Sequence, residues 1–470
     1  MVVGAMAIEL DTVVIGSGPG GYVAAIRAAQ KGQKVTVIER EFLGGVCLNV
    51  GCIPSKALIQ AGHAYHSALE GAEVFGVTTE GTNLDFTKTQ DWKDNQVVKK
   101  MTDGIGFLFK KNKIDVIWGD AYINNDKELT VTGEGDEHQL YTYNNLIVAT
   151  GSTPIEIPGF KFGGNIVDST GALAFEEVPE KLLVIGGGVV GSELGTAYAN
   201  LGSEVTILEG SPQLLPGFEK DMVKVVQKDM KKKGMTVITK GMAKEATDNG
   251  DSVTVKYEEK GKEKEITVSK VLVSVGRRPN TAEIGLQAAG VEMDDRGLVK
   301  VDEQGRTSVK NIYAIGDIVP GLALAHKASY EGIVAAEAIA GENAIVDYKS
   351  MPSIAYTDPE LASYGLTEED AKEKGLEVHS FKFPFGGNGR AVSMANAEGF
   401  VRLVATKDNN IIVGGQVVGP QASDAAAEIG LAIESGMTAE DIALTVHGHP
   451  TLNEAIKDCA EGLLGQAIHA

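Results

Sequence analysis

Two stretches of the chain carry the same order of apolar, small and polar positions. They are TVVIGSGPGGYVAAIRAAQKGQKVTVIER at 12–40 and KLLVIGGGVVGSELGTAYANLGSEVTILEG at 181–210, offset by 170 residues. Each begins with an unbroken apolar run, as a strand buried on both faces requires, passes a Gly-x-Gly-x-x-Gly turn, and continues as a helix rich in small residues. A second, β-branched run then closes on a carboxylate. The repeat predicts two βαβ units of the dinucleotide-binding kind. Further on, NNLIVATGSTPIEIPG (144–159) reads as a buried strand entering a turn at Thr150, Gly151 and Ser152. NIYAIGDI (311–318) reads as a strand that ends on Gly316 and Asp317, with a helix following near Ala323. From about 346 there is no phosphate turn, and strands such as FVRLVAT and IIVGGQVVG mix with the helical AAAEIGLAIESG, which predicts a separate α+β domain.

Each glycine of the repeat has a distinct task. In the first copy Gly16 makes the tight turn, Gly18 lets backbone approach a pyrophosphate, Gly21 lets helix pack on strand, and Glu39 stands where a ribose hydroxyl pair is read. Gly186, Gly188, Gly191 and Glu209 repeat these roles. One such turn alone is weak evidence, but two with strand, helix and acid in the same places imply two bound dinucleotides. The GSPQLLPGF that follows Glu209 offers no Arg or Lys for a 2′-phosphate, so the second site is expected to prefer NAD over NADP.

Composition narrows the class. At 470 residues the chain has room for several domains, and its net charge of −21 argues against a nucleic-acid surface. No apolar run approaches the roughly 18 residues that span a bilayer, and the first residues lack the pattern of an export signal. The expectation is a cytoplasmic protein. Its 3 cysteines are too few for a disulphide scaffold.

Two of those cysteines stand together in GGVCLNVGCIPSK (44–56), directly after the first βαβ unit. In an ideal helix, Cα atoms five residues apart are roughly 8–9 Å from each other, beyond disulphide reach. If Cys47 and Cys52 pair, the backbone between them is distorted, and Gly51 gives it that freedom. Pro54 is tolerated in a first helical turn, so a helix starts here with its positive end near the sulfurs, which favours thiolate. Lys56, one turn beyond Cys52, can bring an ammonium to an electron-poor ring, with Glu193 as a counter-charge. The alternatives are two small buried hydrophobes, or zinc ligands with His63 and His66. Cys459 stands apart as a helix-buried thiol.

Near the C-terminus, HGHPTLNE (447–454) places His449 before Pro450, which holds it extended at a helix start, with Glu454 about one turn into that helix. A carboxylate on one ring nitrogen leaves the other free as a base for thiols. His447 has no comparable argument and is expected to be structural.

Together with VGRRPN (275–280), AIGDI (314–318), LAHKA (324–328) and HPTLNE (449–454), these motifs make the chain resemble, along essentially its whole length, the pyridine nucleotide-disulphide oxidoreductases. Within them it is most similar to the branch that oxidises dihydrolipoamide in 2-oxoacid dehydrogenase complexes. The resemblance implies an α/β fold with two Rossmann-like domains and a C-terminal α+β dimerisation domain. The expected limits are 1–150 for FAD, 151–276 for NAD, 277–345 for a central domain completing the FAD site, and 346–470 for dimerisation. It implies a homodimer in which His449 and Glu454 serve the cysteines of the other subunit. FAD is expected at Gly16, Gly18, Gly21, Glu39, Lys56, Gly119, Thr150, Gly151, Ser152, Asp317, Ala323, Leu324, Ala325 and His326. NAD is expected at Gly186, Gly188, Gly191, Glu193, Glu209 and Gly276, with Val189 over the nicotinamide pocket where some relatives carry an aromatic residue.

The implied reaction passes two electrons from dihydrolipoamide through a Cys47–Cys52 disulphide and FAD to NAD. The expected partner is the lipoylated acyltransferase of such complexes, whose small basic binding domain suits the acidic chain. Reduction of mercuric, glutathione-type or coenzyme A substrates is the enzymatic alternative, and a non-catalytic scaffold the other. The ending GQAIHA carries no extra cysteine pair, the missing Arg after Glu209 disfavours an NADPH-linked reductase, and the joint presence of Cys47, Cys52, His449 and Glu454 disfavours a scaffold.

Overall fold

A computed structural model describes residues 7–71 and 73–469. Chain contacts divide it into two compact units: residues up to Ala57 with Thr87–Ile155 and Gly276–Asp347, and Leu58–Phe86 with Glu156–Val275 and the chain from Tyr348 onward.

In the first unit the apolar run Ile8–Ile15 pairs in parallel with Val35–Glu39 on one side and His138–Val148 on the other. Asp115–Trp118 and Ile312–Ala314 extend the parallel core. Antiparallel Glu128–Thr132 and Asp120–Ile123 complete a seven-stranded sheet. One face packs on the helices Pro19–Gln30 and Ala325–Ile339, where Ala24, Ala25, Ala28, Ala335 and Ala336 permit close approach. Gly332 needs its hydrogen side chain here, since a Cβ would meet the Gly20 carbonyl oxygen at 2.6 Å.

In the second unit Lys181–Ile185, Glu204–Glu209, Thr236–Thr239, Lys270–Val273 and Ile166–Val167 form a parallel sheet. A three-stranded antiparallel sheet spans Gly241–Val268. The α+β segment is also as expected: Phe400–Thr406 and Ile412–Gly419 are neighbours in a five-stranded antiparallel sheet. The helix Glu454–Leu463 packs on it through Ile456, Cys459 and Leu463. The helical reading of 425–436 holds for Ala427–Ser435.

The sequence repeat survives to the level of single bonds. Ile15 pairs with Ile38 and Ile185 with Leu208. Gly16 N–H donates to the Ile38 carbonyl and Gly186 N–H to that of Leu208, both at 2.9 Å. Among the described residues no helix is long and apolar enough to cross a membrane.

Candidate active site

The glycines of the two turns separate by what surrounds them. A Cβ on Gly16 would meet the Ala149 carbonyl oxygen at 2.4 Å, and one on Gly21 the Gly16 oxygen at 1.9 Å. On Gly186 and Gly191 it would meet Ser274 O at 2.2 Å and Gly186 O at 2.0 Å. The fold itself demands these four. A Cβ on Gly18 or Gly188 would meet nothing within 4 Å, and each is the N-cap of its helix. Open space before a helix N-terminus in both copies fits a pyrophosphate.

The closing carboxylates brace the turns. Glu39 Oε2 accepts from the Ser17 amide (2.8 Å) and hydroxyl (2.6 Å), and its Oε1 from the amides of Arg40 and Glu41. Glu209 accepts from the amides of Gly187 and Ser211, both at 2.6 Å. Carboxylate lone pairs left over from these bonds suit a ribose diol. Val189 opens the second helix and packs on its core, and Glu193, buried, accepts from the Tyr356 amide at 2.8 Å.

The remaining expected FAD residues cluster in the first unit. Thr150 Oγ1 donates to Asn280 O at 2.7 Å, and Asn280 donates back to Thr150 O and Gly151 O. Ser152 donates to Asp317 at 2.6 Å and accepts from Arg277. Asp317 does not cap the helix that follows, Ala325–Ile339, whose N-cap is Leu324. Ala323 and His326 are exposed, and Leu324 and Ala325 half-buried, around its start. Gly119 donates to Glu39 O, and Gly276, at φ +128°, accepts from Ile155 N–H. Gly276 groups with the first unit.

Distortion between the cysteines takes the form of a break: a helix Gly45–Val50, then Gly51, then a helix Cys52–His66. A Cβ on Gly51 would meet Val46 O at 2.8 Å, so the close return of the chain requires glycine. Gly45, at φ +59°, lies against Gly18, with 2.6 Å from a would-be Cβ to the Gly18 Cα, which sets the cysteines beside the first phosphate turn. Cys47 is half-buried and Cys52 exposed. A hydrogen bond to Cys52, then burial, then the charge on that sulfur hold the Cys47 thiol far above its ordinary range, and Lys56 opposes this only in part. These surroundings favour the protonated form of Cys47. His63, one ligand of the zinc alternative, lies 3.7 Å from Asp358.

His449 Nδ1 lies 2.9 Å from Glu454 Oε1, and its side chain is 80% exposed. The peptide before Pro450 is cis. The helix begins at Glu454 itself, later than the sequence suggested, because the chain from Thr451 to Asn453 makes a turn in which Glu454 Oε2 accepts the Thr451 amide at 2.7 Å. Burial disfavours a charged Glu454, but the Thr451 amide and His449 outweigh it and hold the carboxyl below its usual range. His447 is structural, 7% exposed, with Nδ1 2.9 Å from Thr445 O and Nε2 2.7 Å from Glu428.

Sequence reasoning missed two features. Tyr22, in the first turn of the phosphate helix, is pushed up by burial and by the charges of Cys47 and Cys52, which places its hydroxyl near the sulfurs. Lys327, 1% exposed, lies 2.7 Å from Glu331 and donates to Gly316 O, while Glu331 accepts the Gly316 amide. Burial raises the Glu331 carboxyl despite these partners. A Lys and a Glu four apart on a helix face otherwise made of Ala, Gly and Val was the available signal.

Comparison with known proteins adds the following. The pyridine nucleotide-disulphide oxidoreductase model matches residues 10–332, and that family's dimerisation domain matches 351–460. The chain is 57% identical over 469 residues to the dihydrolipoyl dehydrogenase of Geobacillus stearothermophilus, covering 100% of this chain and 99% of that one. It is 56% identical to that of Bacillus subtilis over 470 residues, with the same coverage. Among solved structures it resembles LpdA of Mycobacterium tuberculosis, with a TM-score of 0.90, 25% identity and coverage of 97% and 99%. It also resembles the HOCl-induced flavoprotein disulfide reductase RclA of Escherichia coli, with a TM-score of 0.85, 25% identity and coverage of 96% and 99%.

Proposed function

This chain belongs to the pyridine nucleotide-disulphide oxidoreductases, and from that premise we infer that it oxidises dihydrolipoyl groups to lipoyl groups with reduction of NAD+. The observation that carries the reading is the cysteine pair lying against the first phosphate turn, in a chain 57% identical to a dihydrolipoyl dehydrogenase along its whole length. It uses FAD and NAD and works as a homodimer through the domain at 351–460. When bound at the first turn, FAD relays two electrons from the cysteine pair to NAD+.

The roles of the residues follow from their chemistry. In the oxidised enzyme Cys47 and Cys52 form a disulphide. His449 of the partner subunit, its Nδ1 occupied by Glu454, takes a proton from one substrate thiol. The resulting thiolate attacks Cys47, forming a mixed disulphide and releasing Cys52 as thiolate. The second substrate sulfur then attacks the first, expelling Cys47 and closing the lipoyl disulphide. Its proton ends on Cys47, the sulfur whose surroundings favour the thiol. The pair, now carrying two electrons, has Cys52 charged and exposed for onward transfer.

We place the activity in the cytoplasm, on lipoyl groups carried by an acyltransferase whose basic binding domain meets this acidic chain. The purified homodimer should form NADH from dihydrolipoamide and NAD+, far faster than with NADP+, and should form none from reduced glutathione or coenzyme A. Turnover of those thiols in place of dihydrolipoamide would move the chain to another disulphide reductase.

A further inference from the structure

The residues 447–453, which lead into the proton-transferring pair, follow neither helix nor strand, yet His449 needs a fixed position to act on a thiol. In the single chain Val446 and His449 are 94% and 80% exposed, and the apolar anchor within the loop is Leu452, 7% exposed, at its far end in the C-terminal core. The loop is also held by a set of polar side chains at its two ends. Glu428 stands in the first turn of the helix Ala427–Ser435. Its Oε1 lies 2.7 Å from His447 Nε2, at the start of the loop, and its Oε2 accepts from Asn453 Nδ2 at 2.7 Å, at the end. His447 is fixed on its other side by Thr445 O at 2.9 Å, and Asn388 Nδ2 donates to Thr451 O at 3.0 Å. One carboxylate therefore joins both ends of the loop. Hydrogen bonds to a charged acceptor are about twice as strong as neutral ones, and the two to Glu428 are part-buried.

We propose that Glu428 is a positioning residue for His449 and Glu454, its two oxygens clamping the ends of the loop that presents them. This deepens, and rests on, the reading of the chain as a dihydrolipoyl-oxidising enzyme. Glu428 itself touches no substrate; it acts by keeping the imidazole in line with the thiol. The titratable groups facing this loop are Glu454 and His447 within it, Glu428 on its helix, and Arg390 and Asp424 beside Pro450 and Thr451.

The test compares the wild-type holoenzyme with Glu428→Gln and the shorter Glu428→Asp. It reads kcat/KM for dihydrolipoamide against pH, and separately the NADH-dependent reduction of ferricyanide, which draws electrons from the flavin without deprotonating a thiol. Glu428→Gln should lower the dithiol kcat/KM about ten- to a hundredfold. Its acid limb should move to lower pH by about half a unit, because an imidazole with less negative charge around it holds its proton less tightly. Ferricyanide reduction should stay within about twofold, and Glu428→Asp should recover part of the dithiol rate. A Glu428→Gln profile that superposes on wild type would overturn the proposal, as would parallel loss of both activities, which marks damage to the whole fold or dimer. Failure of the wild-type enzyme to oxidise dihydrolipoamide would remove the functional reading, and the clamp's purpose with it, before any variant was made.

Discussion

Cys47 and Cys52 differ in environment more than in sequence. Cys47 is half-buried and holds its proton, through its bond to Cys52 and the loss of water around it, whereas Cys52 sits exposed at the start of a fifteen-residue helix whose positive end favours thiolate. The two substitutions should therefore give different enzymes. Cys47→Ser should keep a Cys52 thiolate and show the long-wavelength thiolate-to-flavin absorbance without any reductant. Cys52→Ser should lack that absorbance under all conditions, and both should lose dithiol turnover by at least about a thousandfold. Absorption spectra of the two purified holoproteins check this, and the band appearing in Cys52→Ser instead would reverse the roles. Spacing and Gly51 made the pair a candidate, and the redox role came from the resemblance. The burial that weighs on Cys47 was not legible, because it is set by the packing of the fold and not by the local spacing.

At the scale of elements, each glycine turn is a strand-to-helix corner in which two positions are filled by backbone and one is left open. That difference predicts opposite phenotypes within the second turn. Gly191→Ala forces a Cβ to 2.0 Å from Gly186 O and should cost the fold several kcal/mol, read as a lowered Tm. Gly188→Ala meets nothing in the protein, so Tm should hold while KM for NAD+ rises about tenfold. Unchanged KM in Gly188→Ala, measured with dihydrolipoamide saturating, would mean the dinucleotide does not lie on this turn. The repeat made these corners readable because strand period, turn and closing acid are local properties. The start of the helix at Glu454 was misread, since Pro450 marks where a helix is allowed to begin and not where the capping carboxylate settles. The Lys327–Glu331 clamp on Gly316 was invisible for a related reason: two charges in an alanine-rich helix look solvated until the sheet against them is known.

Over the whole molecule, the family's dimerisation domain supports a homodimer, and the net charge of −21 bears on any partner of opposite sign. If a basic binding domain of an acyltransferase docks on this homodimer through charge, the complex should weaken at least about tenfold between low and near-molar salt, as screening shortens the Debye length from about 10 Å to 3 Å. Calorimetry at the two salt concentrations checks this, and equal affinity would point to an apolar interface. The α/β class and the α+β nature of the C-terminal segment were legible from hydrophobic patterning, whereas the grouping of 277–345 with the FAD site was expected only from the resemblance. That grouping depends on Ile312–Ala314 joining the first sheet beside His138–Val148 after more than 160 intervening residues, a long-range pairing that no local pattern announces.

The most direct test of the central claim is an anaerobic rapid-mixing experiment on the oxidised holoenzyme, adding dihydrolipoamide first and NAD+ second. The account predicts that the dithiol alone brings up the thiolate-to-flavin absorbance, and that NAD+ then discharges it with one NADH formed per subunit. A flavin spectrum that ignores dihydrolipoamide yet changes on addition of NADH would contradict the assignment of Cys47 and Cys52 to a dihydrolipoyl substrate.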